Sequence, residues 1–172
     1  FSGFAVGVVE KNKVIDGRKI DEGDVILGLA SSGLHANGFS LVNSIFRPRA
    51  ELLIPTRIYI RSVLYILKNF TVHGLAHITG GGLYDNIGRI LPKHLGARIQ
   101  KGTWRIPHIF YEIQKKSRLS DQEMFHVFNM GIGFVLIVPS QLERKVIIEL
   151  SKQERVFRIG YIKKGHKEVV ME

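Results

Sequence analysis

The 172-residue chain is 45% hydrophobic and 23% charged, the balance of an ordinary globular domain and not of a disordered or fibrous one. It carries 25 Lys and Arg against 15 Asp and Glu, a formal net charge of +10, and no cysteine, which excludes a thiol nucleophile, a disulfide framework and thiolate metal sites. A chain of this length buries roughly 70% of its unfolded surface on folding, so one domain with its own core needs no covalent staple.

The chain opens Phe1-Ser2-Gly3-Phe4 with no Met, and a piece of a longer protein is expected. Phe4 to Glu10 and Asp24 to Ala30 are short, Val/Ile-rich and bounded by Gly, which predicts two strands with a turn at Asp16-Gly17 between them. Leu41, Val42, Ile45 and Phe46 then fall at helical spacing. Pro55 suits the first turn of a second helix whose apolar stripe is Ile60, Val63, Leu64 and Leu67.

A strand over Val72 to Thr79 runs into three glycines, Gly80 to Gly82. A helix marked by Leu83, Ile87, Ile90 and Leu91 follows, stopped by Pro92. Ser120 with Glu123, and Ser140 with Glu143, have capping-box spacing and predict two helix starts, with a strongly apolar strand, Ile132 to Val138, between them. Val156 to Lys163 and Glu168 to Met171 read as a closing hairpin around Gly165. The whole predicts an α+β domain, a single mixed sheet with helices packed on one face.

The basic excess favours an anionic partner. Lys and Arg are nevertheless spread as singles and pairs (Arg18 and Lys19, Arg47 and Arg49, Lys115 and Lys116, Lys163 and Lys164), so a solvated basic surface is expected in preference to nucleic-acid binding. The apolar run Met130 to Gln141 is too short and too broken by Gly and Pro to span a bilayer, and no signal peptide is visible, so a soluble, cytoplasmic protein is expected.

Three junctions carry polar or glycine-rich sequence next to a strand and a helix. In Ser31-Ser32-Gly33-Leu34-His35-Ala36-Asn37-Gly38-Phe39-Ser40, backbone amides suit an anion and His35 and Asn37 suit a hydrogen-bonded substrate; a loop with a helix cap explains the same residues equally well. Thr79-Gly80-Gly81-Gly82 lacks the Lys and Ser/Thr of a P-loop and the spacing of a dinucleotide fingerprint, and a tight strand-to-helix turn is its simpler explanation. Asn129-Met130-Gly131-Ile132-Gly133 reads either as backbone laid against a ligand or as a helix C-cap at Gly131.

His73 and His77 have the spacing of helical metal ligands but lie in a predicted strand, which separates them by roughly 13 Å, so no metal site is expected. His77 alone, beside the glycines, suits the cleft. His94, His108, His126 and His166 read as surface or packing residues. No GxSxG nucleophile elbow surrounds Ser31 or Ser32.

Taken in order, Val6 to Lys11, Gly23-Asp24-Val25 with Ser31 to Ser40, Pro55-Thr56-Arg57-Ile58-Tyr59, His77 to Gly82 and Phe128 to Gly133 resemble the aminoimidazole ribonucleotide synthetase family, the phosphoribosylformylglycinamidine cyclo-ligases, over essentially the whole chain. The resemblance implies that residues 1–172 form the C-terminal, substrate-side domain of a homodimeric enzyme. The N-terminal half would supply most of the ATP and Mg2+ site. It implies ATP-dependent closure of the imidazole ring of a phosphoribosyl substrate, by phosphoryl activation of an amide oxygen.

On that basis His35 is the catalytic candidate, and Ser31, Ser32, Gly33, Asn37, Gly38, Thr79, Gly80, Gly81 and Gly82 are substrate-binding candidates. Arg57, His77, Asn129, Gly131 and Gly133 are further cleft candidates. The competing readings are other ATP-using enzymes of the superfamily (formylglycinamidine ribonucleotide synthetase, selenophosphate synthetase, thiamine-monophosphate kinase, a hydrogenase-maturation protein) or a non-catalytic nucleic-acid-binding module. The family has a longer connector where this chain has Arg47-Pro48-Arg49-Ala50.

Overall fold

The computed structural model describes residues 3–172, and Phe1 and Ser2 lie outside it. Among the described residues six strands form one mixed sheet in the order β2-β4-β1-β5-β3-β6. They are β1 (Val25–Ala30), β2 (Gly74–His77), β3 (Leu95–Ile99), β4 (Ile132–Val138), β5 (Val156–Lys164) and β6 (Val169–Met171). Neighbours run antiparallel except β3 and β6, which are parallel. The helices are α1 (Phe39–Ile45), α2 (Ile60–Asn69), α3 (Gly82–Ile90), α4 (His108–Ser117), α5 (Asp121–Val127) and α6 (Glu143–Leu150).

The α+β class and the single mixed sheet agree with the sequence. The larger helical layer lies on one face, where Val42, Leu83, Ile87, Phe110, Ile113, Met124 and Phe125 pack with Ile26 of β1. A smaller pair, α2 and α6, covers the other face through Val63, Ile66, Val146 and Leu150 against Val25, Leu27 and Leu29. Successive strand residues point to opposite faces, so β1 needs a cover on both sides, and its unbroken apolar sequence records this.

Several local expectations change. Residues 4–10 join no strand, and Phe4, Val6 and Val8 are almost fully exposed. Pro55 lies in the connector before α2, five residues upstream of Ile60, and β2 is shorter than the predicted Val72 to Thr79. The last two strands form no hairpin. The unpredicted β3 sits between them, pairing antiparallel with β5 and parallel with β6.

The Ser120 box forms in full: Glu123 N donates to Ser120 Oγ, and Ser120 N donates to Glu123 Oε2 at 2.8 Å. The Ser140 box does not. Residues Ser140–Leu142 make a short 3-10 turn, and the Glu143 carboxylate faces Arg158 of β5 at 3.4 Å instead of reaching back. The connector after α1 is anchored by buried Leu52 and by Arg49, which pairs with Glu112 at 3.0 Å and lies over the Phe46 ring.

Candidate functional site

The antiparallel register places the C-terminal ends of β1 and β2 beside the N-terminal end of β4. The segments that leave or enter those ends therefore meet: Ser31 to Gly38, Thr79 to Gly82, and Asn129 to Gly133. Of the candidate residues, all but Arg57 lie on these three segments or at the end of β2.

The Ser31 to Gly38 loop is built on Asn129, which is fully buried. Its Nδ2 donates to the carbonyls of Gly33 (2.8 Å) and Leu34 (3.2 Å), while its Oδ1 accepts from Ser31 Oγ (3.0 Å) and Gly131 N (2.8 Å). All four hydrogen-bonding positions of the carboxamide are thus filled. Ser32 Oγ donates to the Pro55 carbonyl at 2.7 Å and ties the loop to the chain before α2.

His35 is buried and holds a left-handed backbone, φ +57°. Its Nε2 accepts from Ser32 N at 3.1 Å and from Arg57 N at 3.5 Å, which requires a neutral ring with its proton on Nδ1. Nδ1 itself has no partner among the described residues. Burial, with the nearby charges of His77 and Arg57, pushes the imidazole down to about 4.

Beside His35 stand Tyr59 and His77, their ring centroids 6.3 Å and 6.4 Å from its own, and Phe134 packs against both of them. Gly133 makes room for them: a Cβ there would collide with Tyr59 Oη and His35 Cε1. Tyr59 Oη donates to the Ala30 carbonyl at 2.8 Å, and burial raises its pKa, so it stays protonated. A largely apolar cavity of about 390 Å³ opens beside Tyr59, His77 and Phe134. Arg57 lines it, but its guanidinium is committed to Glu154 (2.7 Å) and the Gln153 carbonyl (3.2 Å).

The second loop is organised by Asn86, a buried residue of α3. Its Nδ2 shares its protons among the carbonyls of Thr79 (3.2 Å), Gly80 (3.2 Å) and Gly82 (2.8 Å), and its Oδ1 accepts from Thr79 Oγ1 at 3.2 Å. Gly82 has φ +57° and packs so closely that a Cβ would strike the Phe125 carbonyl. Gly80 faces open space: the nearest atom to a Cβ there is Asn37 Oδ1, 3.9 Å away. The two loops thus oppose each other across Gly80 and Asn37.

Asn86, Phe134 and Glu154 carry the site without having been singled out in the sequence, and Tyr59 was named there only as the end of the Pro55 motif. For Asn86 a signal existed, an asparagine inside the apolar stripe of Leu83, Ile87 and Ile90. His73 stands apart, its Nδ1 2.7 Å from the Asp24 carboxylate. Among the described residues no group of three or more His, Cys, Asp or Glu is placed to hold a metal ion, and no helix is long and apolar enough to cross a membrane.

A mixed sheet covered on both faces, with polar and glycine-bearing loops gathered at one end, defines an α+β domain whose candidate site lies at its strand ends. Residues 21–172 match the family described as "AIR synthase related protein, C-terminal domain", and the chain belongs to that family.

It is 47% identical to the phosphoribosylformylglycinamidine cyclo-ligase of Clostridium tetani, over 99% of this chain and 55% of the relative. The enzymes of the same name from Geotalea daltonii and Bacillus subtilis are 48% and 46% identical, over 95% of this chain and 52% and 53% of theirs. The chain spans about half the length of these relatives.

Among solved structures it is similar to the hydrogenase maturation protein HypE in complex with ATP, with a TM-score of 0.69 and 18% identity over 91% of this chain and 49% of HypE. Thiamine-monophosphate kinase from Stenotrophomonas maltophilia gives 0.65 and 14%, over 95% of this chain and 54% of the kinase. PurL of T. maritima complexed with AMPPCP gives 0.58 and 16%, over 92% and 24%. At these identities the likeness is one of fold.

Proposed function

We propose that the chain is the substrate-side part of a phosphoribosylformylglycinamidine cyclo-ligase, which closes the imidazole ring of formylglycinamidine ribonucleotide at the expense of ATP. The observation that carries this reading is an identity of 46 to 48% to proteins of that one name, over at least 95% of the chain. The three facing segments fall within that span.

An amide oxygen is a poor leaving group. ATP transfers its terminal phosphoryl group to that oxygen, the amidine nitrogen attacks the activated carbon, and the carbon–oxygen bond breaks to release phosphate. The products are ADP, phosphate and aminoimidazole ribonucleotide. Such a reaction needs mainly positioning and electrostatic stabilisation from the protein. In this reading Ser31 to Gly38 and Thr79 to Gly82 hold the ribonucleotide between them, and the apolar cavity beside His77 and Phe134 excludes water.

The role of His35 changes from that implied by resemblance. A proton carrier at neutral pH needs a pKa near the working pH and a free ring nitrogen. His35 is held neutral down to about pH 4, which counts against proton transfer; its Nε2 accepts from two amides, while its Nδ1–H has no partner among the described residues and is free to polarise a substrate oxygen. We assign it to holding Ser32 and Arg57 in place through Nε2, with Nδ1–H the one group it can offer to a substrate.

In this reading Mg2+ and most ATP contacts belong to the rest of the full-length protein, a cytoplasmic homodimer.

The test is the full-length protein with formylglycinamidine ribonucleotide, ATP and Mg2+. Equal amounts of ADP, phosphate and aminoimidazole ribonucleotide are expected. ADP formed with thiamine monophosphate in place of the ribonucleotide, or no turnover at all, would sink the reading.

A further inference from the structure

We propose that Asn86 and Asn129 are positioning residues that hold the two facing loops in their substrate-ready shape, each by drawing loop carbonyls into its own buried carboxamide. This deepens the cyclo-ligase reading and rests on the two loops lining the substrate cleft.

Glycine-rich segments sample many backbone conformations, and their peptide planes turn easily unless something holds them. Here a side chain does so in each loop. Asn86 takes the carbonyls of Thr79, Gly80 and Gly82; Asn129 takes those of Gly33 and Leu34. Both asparagines are more than nine-tenths buried, so water does not compete for these bonds.

The electrostatic consequence concerns an anionic ligand. Carbonyl oxygens repel phosphate and amide N–H groups attract it. With the Thr79 and Gly80 carbonyls drawn inward, the Gly80 and Gly81 amides that share their peptide planes are left with no acceptor among the described residues, free to meet negative charge. The ribonucleotide of the proposed reaction carries such charge. An isosteric aspartate in either position keeps one acceptor oxygen, removes both N–H donors and brings a negative charge to the same carbonyls.

The experiment uses full-length protein labelled with 15N-glycine, as wild type, Asn86→Asp and Asn129→Asp. In the wild type Gly33 and Gly80 to Gly82 should show order parameters of about 0.85, as in rigid backbone. Asn86→Asp should lower those of Gly80 and Gly81 below about 0.6 and leave Gly33 and the α5-packed Gly82 unchanged, and Asn129→Asp should lower that of Gly33 alone.

In turnover assays each variant should raise KM for the ribonucleotide at least tenfold while changing kcat less than threefold, a split that general destabilisation does not give. Glycines that stay rigid in both variants would overturn the proposal, as would loosened glycines with an unchanged KM. The relaxation arm needs no substrate, so it judges the positioning role even if the wild type proves not to be a cyclo-ligase. If Asn129→Asp does not fold, Asn86→Asp tests the same device on the other loop.

Discussion

The Ser31 to Gly38 loop is fixed by residues far away in the chain, whereas the Thr79 to Gly82 loop is fixed by the helix it begins. Asn129 reaches Ser31, Gly33 and Leu34 across more than 90 positions, and the Pro55 carbonyl and Arg57 amide meet Ser32 and His35 from a third segment. Asn86, by contrast, reaches back only four to seven residues. The first loop takes its shape only when the sheet has assembled. The second is a local turn that a single helix can complete, and the tight packing of Gly82 then locks it to α5.

That difference is sharpest at Gly82. Ala in its place meets a left-handed backbone and the Phe125 carbonyl together, and a backbone carbonyl gives way less readily than a side chain. Gly82→Ala should cost about 3 kcal/mol or more, read as a fall in the denaturant midpoint with an unchanged slope. A loss below about 1 kcal/mol would mean that this loop is not pinned to α5.

A smaller effect separates the loops by pH. Native His35 resists protonation down to about 4, while the same residue in the unfolded chain takes up a proton near its ordinary value of 6.5. The unfolded state therefore binds more protons between those values, and the His35 contribution, complete above pH 6.5, fades as pH falls toward 4. His35→Asn suits the left-handed backbone and removes the titration. Between pH 7 and 4.5 the wild-type melting temperature should fall further than that of the variant, and parallel curves would show that His35 titrates normally.

The same contrast explains what could be read from the sequence. Thr79 to Gly82 followed by Leu83 and Ile87 is a short-range pattern, and its strand-to-helix turn was visible. So was the Ser120 capping box, which needs only residues 120 and 123. The Ser31 to Gly38 loop was visible as an unusual polar stretch, but its dependence on Asn129 and Arg57 was not, since nothing in the spacing says which distant residues a fold will bring together.

The strand β3 escaped for a related reason. Leu95-Gly96-Ala97-Arg98-Ile99 has little alternation of its own and becomes a strand by filling the space between β5 and β6. Residues 4–10 show the reverse failure, a clear strand pattern with no strand beside it in the described chain.

The smallest expected effect on stability decides most about the cleft. Gly80 does not have the left-handed backbone of its neighbours, and a methyl group there comes no closer than 3.9 Å to anything, that atom being Asn37 Oδ1 of the opposite loop. Gly80→Ala should therefore change stability by no more than about 0.5 kcal/mol.

If the ribonucleotide lies between the two loops, the same methyl narrows the space it must occupy. The full-length variant should then show KM raised at least fivefold with an unaltered melting temperature. Because a Cβ at this position clashes with nothing in the fold, a binding defect without a stability defect would point to a ligand occupying the gap. An unchanged KM would move the substrate away from the gap between Gly80 and Asn37, leaving the pairing of the two loops a feature of the fold alone.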